Sequence, residues 1–226
     1  MNSVRRAMPL VLLSCLALAG CSSTGSASDN AGAGRNGAPA AGPSGSVRPD
    51  ESAGTIPVGA GPQKTYTVQK QPPAGSCHYQ YTKNKEPLPD RTCTQGATSP
   101  AVTQANLART ICRKGGYTKG IRPPVSITAQ EKKLNAVSYG YKGSLSDAEY
   151  DHQISLQLGG DPNDARNLWV EPADPGHQPG TGVNNKKDPV ETKLHTAICS
   201  GKVTLAAAQE AIATDWTTAL QSLGLS

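Results

Sequence analysis

Alternation of apolar and polar positions marks two strands in the second half of the chain. Tyr150-Asp151-His152-Gln153-Ile154-Ser155-Leu156 alternates with a period of two, and Asn167-Leu168-Trp169-Val170 reads as its companion. Between them, Leu158-Gly159-Gly160-Asp161-Pro162-Asn163-Asp164 is dense in turn residues. Residues 63–70 alternate as well, through Tyr66 and Val68, and predict a short strand before a Pro/Gly turn at 71–75.

Helical spacing occurs four times. Ser99-Pro100 opens a stretch with Val102, Leu107 and Ile111, which Gly115-Gly116 stops. Thr128-x-x-Glu131 has the form of a capping box, with Leu134 and Val137 on one predicted core face and Gly140 past the end. Asp188-Pro189-Val190-Glu191 puts Asp at an N-cap and Pro at the first helical position of a helix running through Leu194 and Ile198 to Gly201. Thr204 begins a last helix whose Leu205, Ala208, Ile212, Trp216 and Leu220 form one stripe ending at Gly224. The order strand, loop, strand, loop, helix, with flanking helices, gives an α+β domain.

Composition limits how much of the chain can fold. Of 226 residues, 36% are hydrophobic and 17% charged, with 24 Gly, 18 Pro, two Trp and no Phe, enough for one modest core of about 150 residues. The remainder lies at the N-terminus. Arg5 and Arg6, an apolar run over 10–18 and Leu18-Ala19-Gly20-Cys21 make residues 1–20 a secretory signal too short to be a stable bilayer span. Leu-Ala-Gly-Cys resembles a bacterial lipobox, which implies cleavage before Cys21, acylation of its thiol and a lipid anchor at the extracellular face of the cell membrane. Residues 21–62 read as a lipidated Cys and a disordered Gly/Ser/Ala/Pro linker with an end-to-end distance on the order of 35 Å. The domain is then 63–226, a monomer. Its net charge, +5 for the whole chain and +3 without Arg5 and Arg6, neither demands nor excludes a nucleic-acid partner.

Four cysteines remain, and in an exported chain an even number predicts disulfides with three possible connectivities. Cys77–Cys93 closes a short Pro-rich excursion and Cys112–Cys199 ties two predicted helices together, so this pairing is expected. A four-cysteine zinc site has no Cys-x-x-Cys pair to build on.

Candidate chemistry centres on Asp151 and His152. A carboxylate can hold a hard divalent cation and a neutral imidazole can take a proton from water, the minimal outfit for phosphodiester hydrolysis. Asp151-His152-x-Ile154-x-Leu156-x-Leu158-Gly159-Gly160, then Asn167-Leu168, then Asn184-x-x-Lys187, resembles the HNH (ββα-metal) endonucleases, over about 149–199. The resemblance implies a metal ligand at Asp151, a general base at His152, and Asn167 tying the inter-strand loop. It also implies a second metal ligand at Asn184 or its neighbour Asn185, and Lys187 on phosphate. It implies Mg²⁺ or Mn²⁺ as cofactor and nucleic acid, DNA ahead of RNA, as partner. Two features depart from the family. Pro189 sits inside a helix that would begin at Asn184, and the zinc-binding cysteine pairs that brace many such domains are missing, with Cys112–Cys199 in their stead.

Other readings are blander. Glu149 with Asp151 has the composition of a glycosidase pair but no aromatic platform beside it. Glu191 and His195 are spaced for a local ion pair. Lys114, Lys119, Arg122, Lys132, Lys133 and Lys142 form a phosphate-attracting surface or a solvated basic face. The alternative to an enzyme is a catalytically inactive envelope lipoprotein that binds or braces.

Overall fold

Proline removes a ladder donor and glycine weakens a strand interior, so a chain this rich in both forms little sheet. The computed structural model describes residues 55–183 and 185–225. The signal segment, Cys21, the linker up to residue 54 and Asn184 lie outside the described residues. In chain order the elements are strands β1 (Gln80–Tyr81) and β2 (Pro87–Leu88), helix α1 (Val125–Ser138), and strands β3 (Glu149–His152) and β4 (Leu168–Glu171). Helices α2 (Lys187–Cys199), α3 (Leu205–Thr214) and α4 (Ala219–Ser222) follow. The fold is α+β in kind, mixed helices with two small antiparallel hairpins, and is braced by Cys77–Cys93 and Cys112–Cys199. Closing loops of 16 and 87 residues, these bridges contribute roughly 3 and 4.5 kcal/mol in the chain-entropy account. Among the described residues, no helix is long and apolar enough to cross a membrane.

The main core lies where α2, α3 and α4 meet the loop after β3: Ile154, Leu158, Leu194, Ile198, Leu205, Ala208, Ile212 and Trp216 are all buried there. Gln153 Nε2 donates to the Ala213 carbonyl and Gln209 Nε2 to that of Leu158, fastening hairpin to helix through buried polar bonds. A second cluster packs Trp169 against Tyr139, Tyr79 and the Cys77–Cys93 bridge.

Several elements differ from their sequence pattern. Residues 55–62, expected in the linker, belong to the fold: Ile56 packs on the main core, Gly59 N donates to Thr98 O, and Gly61 N donates to Asp161 Oδ2. Residues 63–70 form no strand. Their polar groups instead meet side chains, Gln69 N donating to Glu131 Oε1 and Thr67 O accepting from Asn163 Nδ2. The stretch after Ser99 holds only a 3₁₀ helix, Gln104–Arg109.

Helix α1 begins three residues before the predicted Thr128 cap, because extended Pro124 serves as N-cap and its carbonyl accepts from Ile127 N and Thr128 N. Its faces are also reversed: Leu134 and Val137 are 49% and 57% exposed, whereas Glu131, Asn135, Ala136 and Ser138 are buried. That face docks through hydrogen bonds, with Asn135 Oδ1 accepting from Val170 N and Ser138 Oγ donating to Pro72 O. Hydrophobic periodicity cannot detect such docking. The last predicted helix breaks into α3 and α4, where extended Asp215 turns its carboxylate onto Thr217 N.

Candidate functional site

Antiparallel pairing sets Glu149 opposite Glu171 and Asp151 opposite Trp169, so three carboxylates occupy one face of the hairpin. A first-turn residue of α2 answers them. Lys187 is 0% exposed and its ammonium donates to Asp151 Oδ2 at 2.7 Å, Glu191 Oε1 at 2.6 Å and the His152 carbonyl at 2.8 Å. Burial opposes its charge, but Asp151, Glu191 and Glu171 outweigh that and hold its pKa above the ordinary lysine value. Asn185 closes the cage, its Nδ2 donating to Glu149 Oε2 and Glu171 Oε2 while its Oδ1 accepts from Lys187 N and caps α2.

Negative charge still exceeds positive here. Burial, then the neighbouring Asp151 charge, pushes Glu171 well above the carboxylate range and raises Glu149 too. Burial likewise raises Glu191, against the pull of Lys187. Glu171 Oε1 is buried without a hydrogen-bond partner.

His152 ends the same strand. Its Nε2 lies 3.1 Å from the Pro162 carbonyl. A carbonyl only accepts, so Nε2 carries the hydrogen and Nδ1 keeps a lone pair. Burial pushes its pKa down to about 4 against the help of Asp151, so the ring is neutral at pH 7. It remains 8% exposed, unlike Lys187.

The loop holding that carbonyl is tied by Asn167, fully buried, whose Oδ1 accepts from Ile154 N and Ala97 N and whose Nδ2 donates to Ile154 O and Asp161 O. The Asp161 carbonyl so held immediately precedes Pro162 in the chain. Gly160 is required here, since a Cβ would come 1.7 Å from the Ile154 carbonyl oxygen.

Of the residues singled out in the sequence, Asp151, His152 and Asn167 come together around one hairpin and loop. Asn184 lies outside the described residues. Asn185, expected as a metal ligand, spends its carbonyl oxygen on the α2 cap, and the cation meeting Asp151 Oδ2 is an ammonium. Lys187, expected on phosphate, is enclosed and committed to three protein acceptors. Lys132 is likewise removed from the basic surface, its Nζ donating to Leu145 O and Ala148 O.

The sequence reading missed the acid cage. Glu171 drew no attention, although two-residue alternation and hairpin register would have set it beside Glu149. Glu191, spaced for an ion pair with His195, instead bonds Lys187, one turn toward the N-terminus, and Gln157 of the loop after β3. Asp188 is not the cap but an exposed first-turn carboxylate, raised by burial and by Asp151 and lowered by Lys187 and Arg122.

His195 faces sulfur instead. Its Nε2 lies 2.9 Å from the Ile111 carbonyl and 3.4 Å from Cys199 Sγ, beside the Cys112–Cys199 bridge. Ligand atoms of Cys112, His195 and Cys199 all fall within 4.8 Å of one another.

Comparison with protein-family models, curated proteins and solved structures finds no match. The chemistry of the site therefore rests on its own residues.

Proposed function

We propose that this protein is a metal-dependent endonuclease of the HNH (ββα-metal) kind, hydrolysing phosphodiester bonds of nucleic acid outside the cell from a lipid anchor at Cys21. The observation that carries the reading is the neutral His152 imidazole, its tautomer fixed by the Pro162 carbonyl and its basic Nδ1 left over, directly after a buried carboxylate on a strand. A group of that kind takes a proton from water at neutral pH.

Asp151 and Asp188 would hold the hard cation. Asp151 retains a second oxygen beyond the one bound to Lys187, and Asp188 adds an exposed carboxylate that feels the Asp151 charge. These oxygens suit Mg²⁺ or Mn²⁺ better than Zn²⁺. Such an ion, when bound, stabilises charge on the leaving oxygen. The chain does the rest: His152 Nδ1 accepts the proton of the attacking water, and Asn167 keeps the loop and thereby the ring in place. Lys187 offsets the cage's negative charge through its bonds to Asp151 and Glu191. Arg122 is exposed and its charge disfavours protons on both His152 and Asp188, which makes it the basic-surface residue best suited to a phosphate.

The test is cleavage of supercoiled plasmid DNA and of RNA by the full chain with Mg²⁺, Mn²⁺ or EDTA. Metal-dependent cutting should fall by roughly 10²–10⁴ in His152→Ala. Equal cutting by that variant would overturn the assignment. One observation favours a second reading, an inactive binding module: the cation seat against Asp151 Oδ2 is filled by Lys187. Nucleic-acid retention without cleavage under every metal condition would select it.

A further inference from the structure

Residues 187, 191, 195 and 199 follow one another at four-residue steps and form a single stripe down α2. Its first two members belong to the acid cage. Its last two, His195-x-x-x-Cys199, present an imidazole and a sulfur on one helix face, a spacing that suits two ligands of one metal. Cys112 arrives from the segment after the 3₁₀ turn and supplies the third donor.

We propose that Cys112, His195 and Cys199 are a redox-gated zinc site, closed to metal as the disulfide and opened by a dithiol reductant. Four features carry this. Tetrahedral Zn²⁺ with bonds of about 2.3 Å to sulfur and about 2.0 Å to nitrogen sets S···N near 3.5 Å, and His195 Nε2 already lies 3.4 Å from Cys199 Sγ. All three donor atoms fall within 4.8 Å. Cys199 is exposed, so a thiolate can reach the bridge. The donor set of two thiolates and one imidazole is soft, unlike the oxygen donors at the other end of the helix.

The steps balance. A dithiol gives two electrons and two protons to Cys112–Cys199, leaving two cysteine thiols and a cyclic disulfide of the reductant. Zn²⁺ then displaces both thiol protons. Binding through His195 Nε2 moves its hydrogen to Nδ1 and releases the Ile111 carbonyl, and water completes the fourth position.

The experiment uses the full chain, oxidised or reduced with a dithiol that is then removed, and titrates Co²⁺ and Zn²⁺. The reduced chain should take up one Co²⁺ with thiolate charge-transfer absorption and the visible bands of tetrahedral cobalt, and the oxidised chain should show neither signal, whatever Co²⁺ its carboxylates hold. Zn²⁺ should shield Cys112 and Cys199, but not Cys77 and Cys93, from alkylation read by peptide mass. His195→Ala should bind at least roughly tenfold more weakly, since even losing a ligand's supporting partner costs 10–100-fold. Equal thiolate–cobalt absorption in the oxidised chain, shielding centred on Cys77 and Cys93, or an unchanged affinity for the thiolate-bound metal in His195→Ala would each overturn the proposal. If reduction unfolds the chain, Zn²⁺ should restore its helical circular dichroism in the wild type and not in His195→Ala. A reduced chain that stays unfolded in Zn²⁺ also overturns it.

Discussion

The two ends of α2 solve opposite problems. At the N-terminal end, Lys187 and Glu191 are buried beside Asp151, Glu149 and Glu171, and every buried charge must be answered by another protein group. At the last turn, Cys199 is exposed and His195 half-buried, held to the neighbouring segment by a covalent bond. One end is an ionic lock and the other a sulfur staple. In low-dielectric surroundings an unmatched charge costs several kcal/mol, whereas an exposed polar group is answered by water. Single substitutions should therefore be felt far more at the first turn than at the last, the covalent bridge excepted.

The largest effect should come from removing that bridge: the double variant Cys112→Ser/Cys199→Ser is expected to lose about 4.5 kcal/mol of unfolding free energy in urea. A loss below about 1 kcal/mol would show that packing alone fixes that end.

Next comes Lys187→Met, which leaves its carboxylates uncompensated and should cost roughly 3–5 kcal/mol at pH 7. Because Glu171 and Glu191 take up protons more readily than ordinary carboxyls, the loss should shrink on acidification. A pH-independent loss would remove charge as its cause.

His152 gives a third effect. Its folded pKa of about 4 lies below the ordinary 6.5, so it stabilises the fold above pH 6.5 and that contribution disappears as pH falls toward 4. The shift corresponds to about 3 kcal/mol. Wild type should lose that much more than His152→Gln between pH 7 and 4, and the imidazole should titrate by NMR near pH 4.

Least affected should be His195→Ala in the oxidised chain, at under about 1 kcal/mol, since a part-buried bond to the Ile111 carbonyl and an exposed contact with Cys199 Sγ are lost. A cost matching that of Lys187→Met would erase the contrast between the ends.

The same contrast explains what could be read from sequence. The hairpin, its Gly-rich turn and the C-terminal course of α2 were legible, since alternation, Gly159-Gly160 and a Gly201 stop are local signals. Both disulfide pairings were reached from loop length and helix placement. The reversed faces of α1 were not legible: Glu131 and Asn135 are polar letters whose burial depends on Gln69 and Val170, far away in the chain. Lys187 looked like a solvent-facing phosphate ligand because nothing beside it in sequence shows that Asp151, 36 residues away, encloses it.

The sequence by itself determined where the chain can turn, cap and cross-link, and that Asp151 and His152 are neighbours, because those properties depend on bonds and dihedrals within a few residues. Only the tertiary structure decided the state of these groups. Long-range packing removes water from one lysine, three carboxyl groups and one imidazole together, and in that dry space the lysine has to be matched by the carboxylates around it.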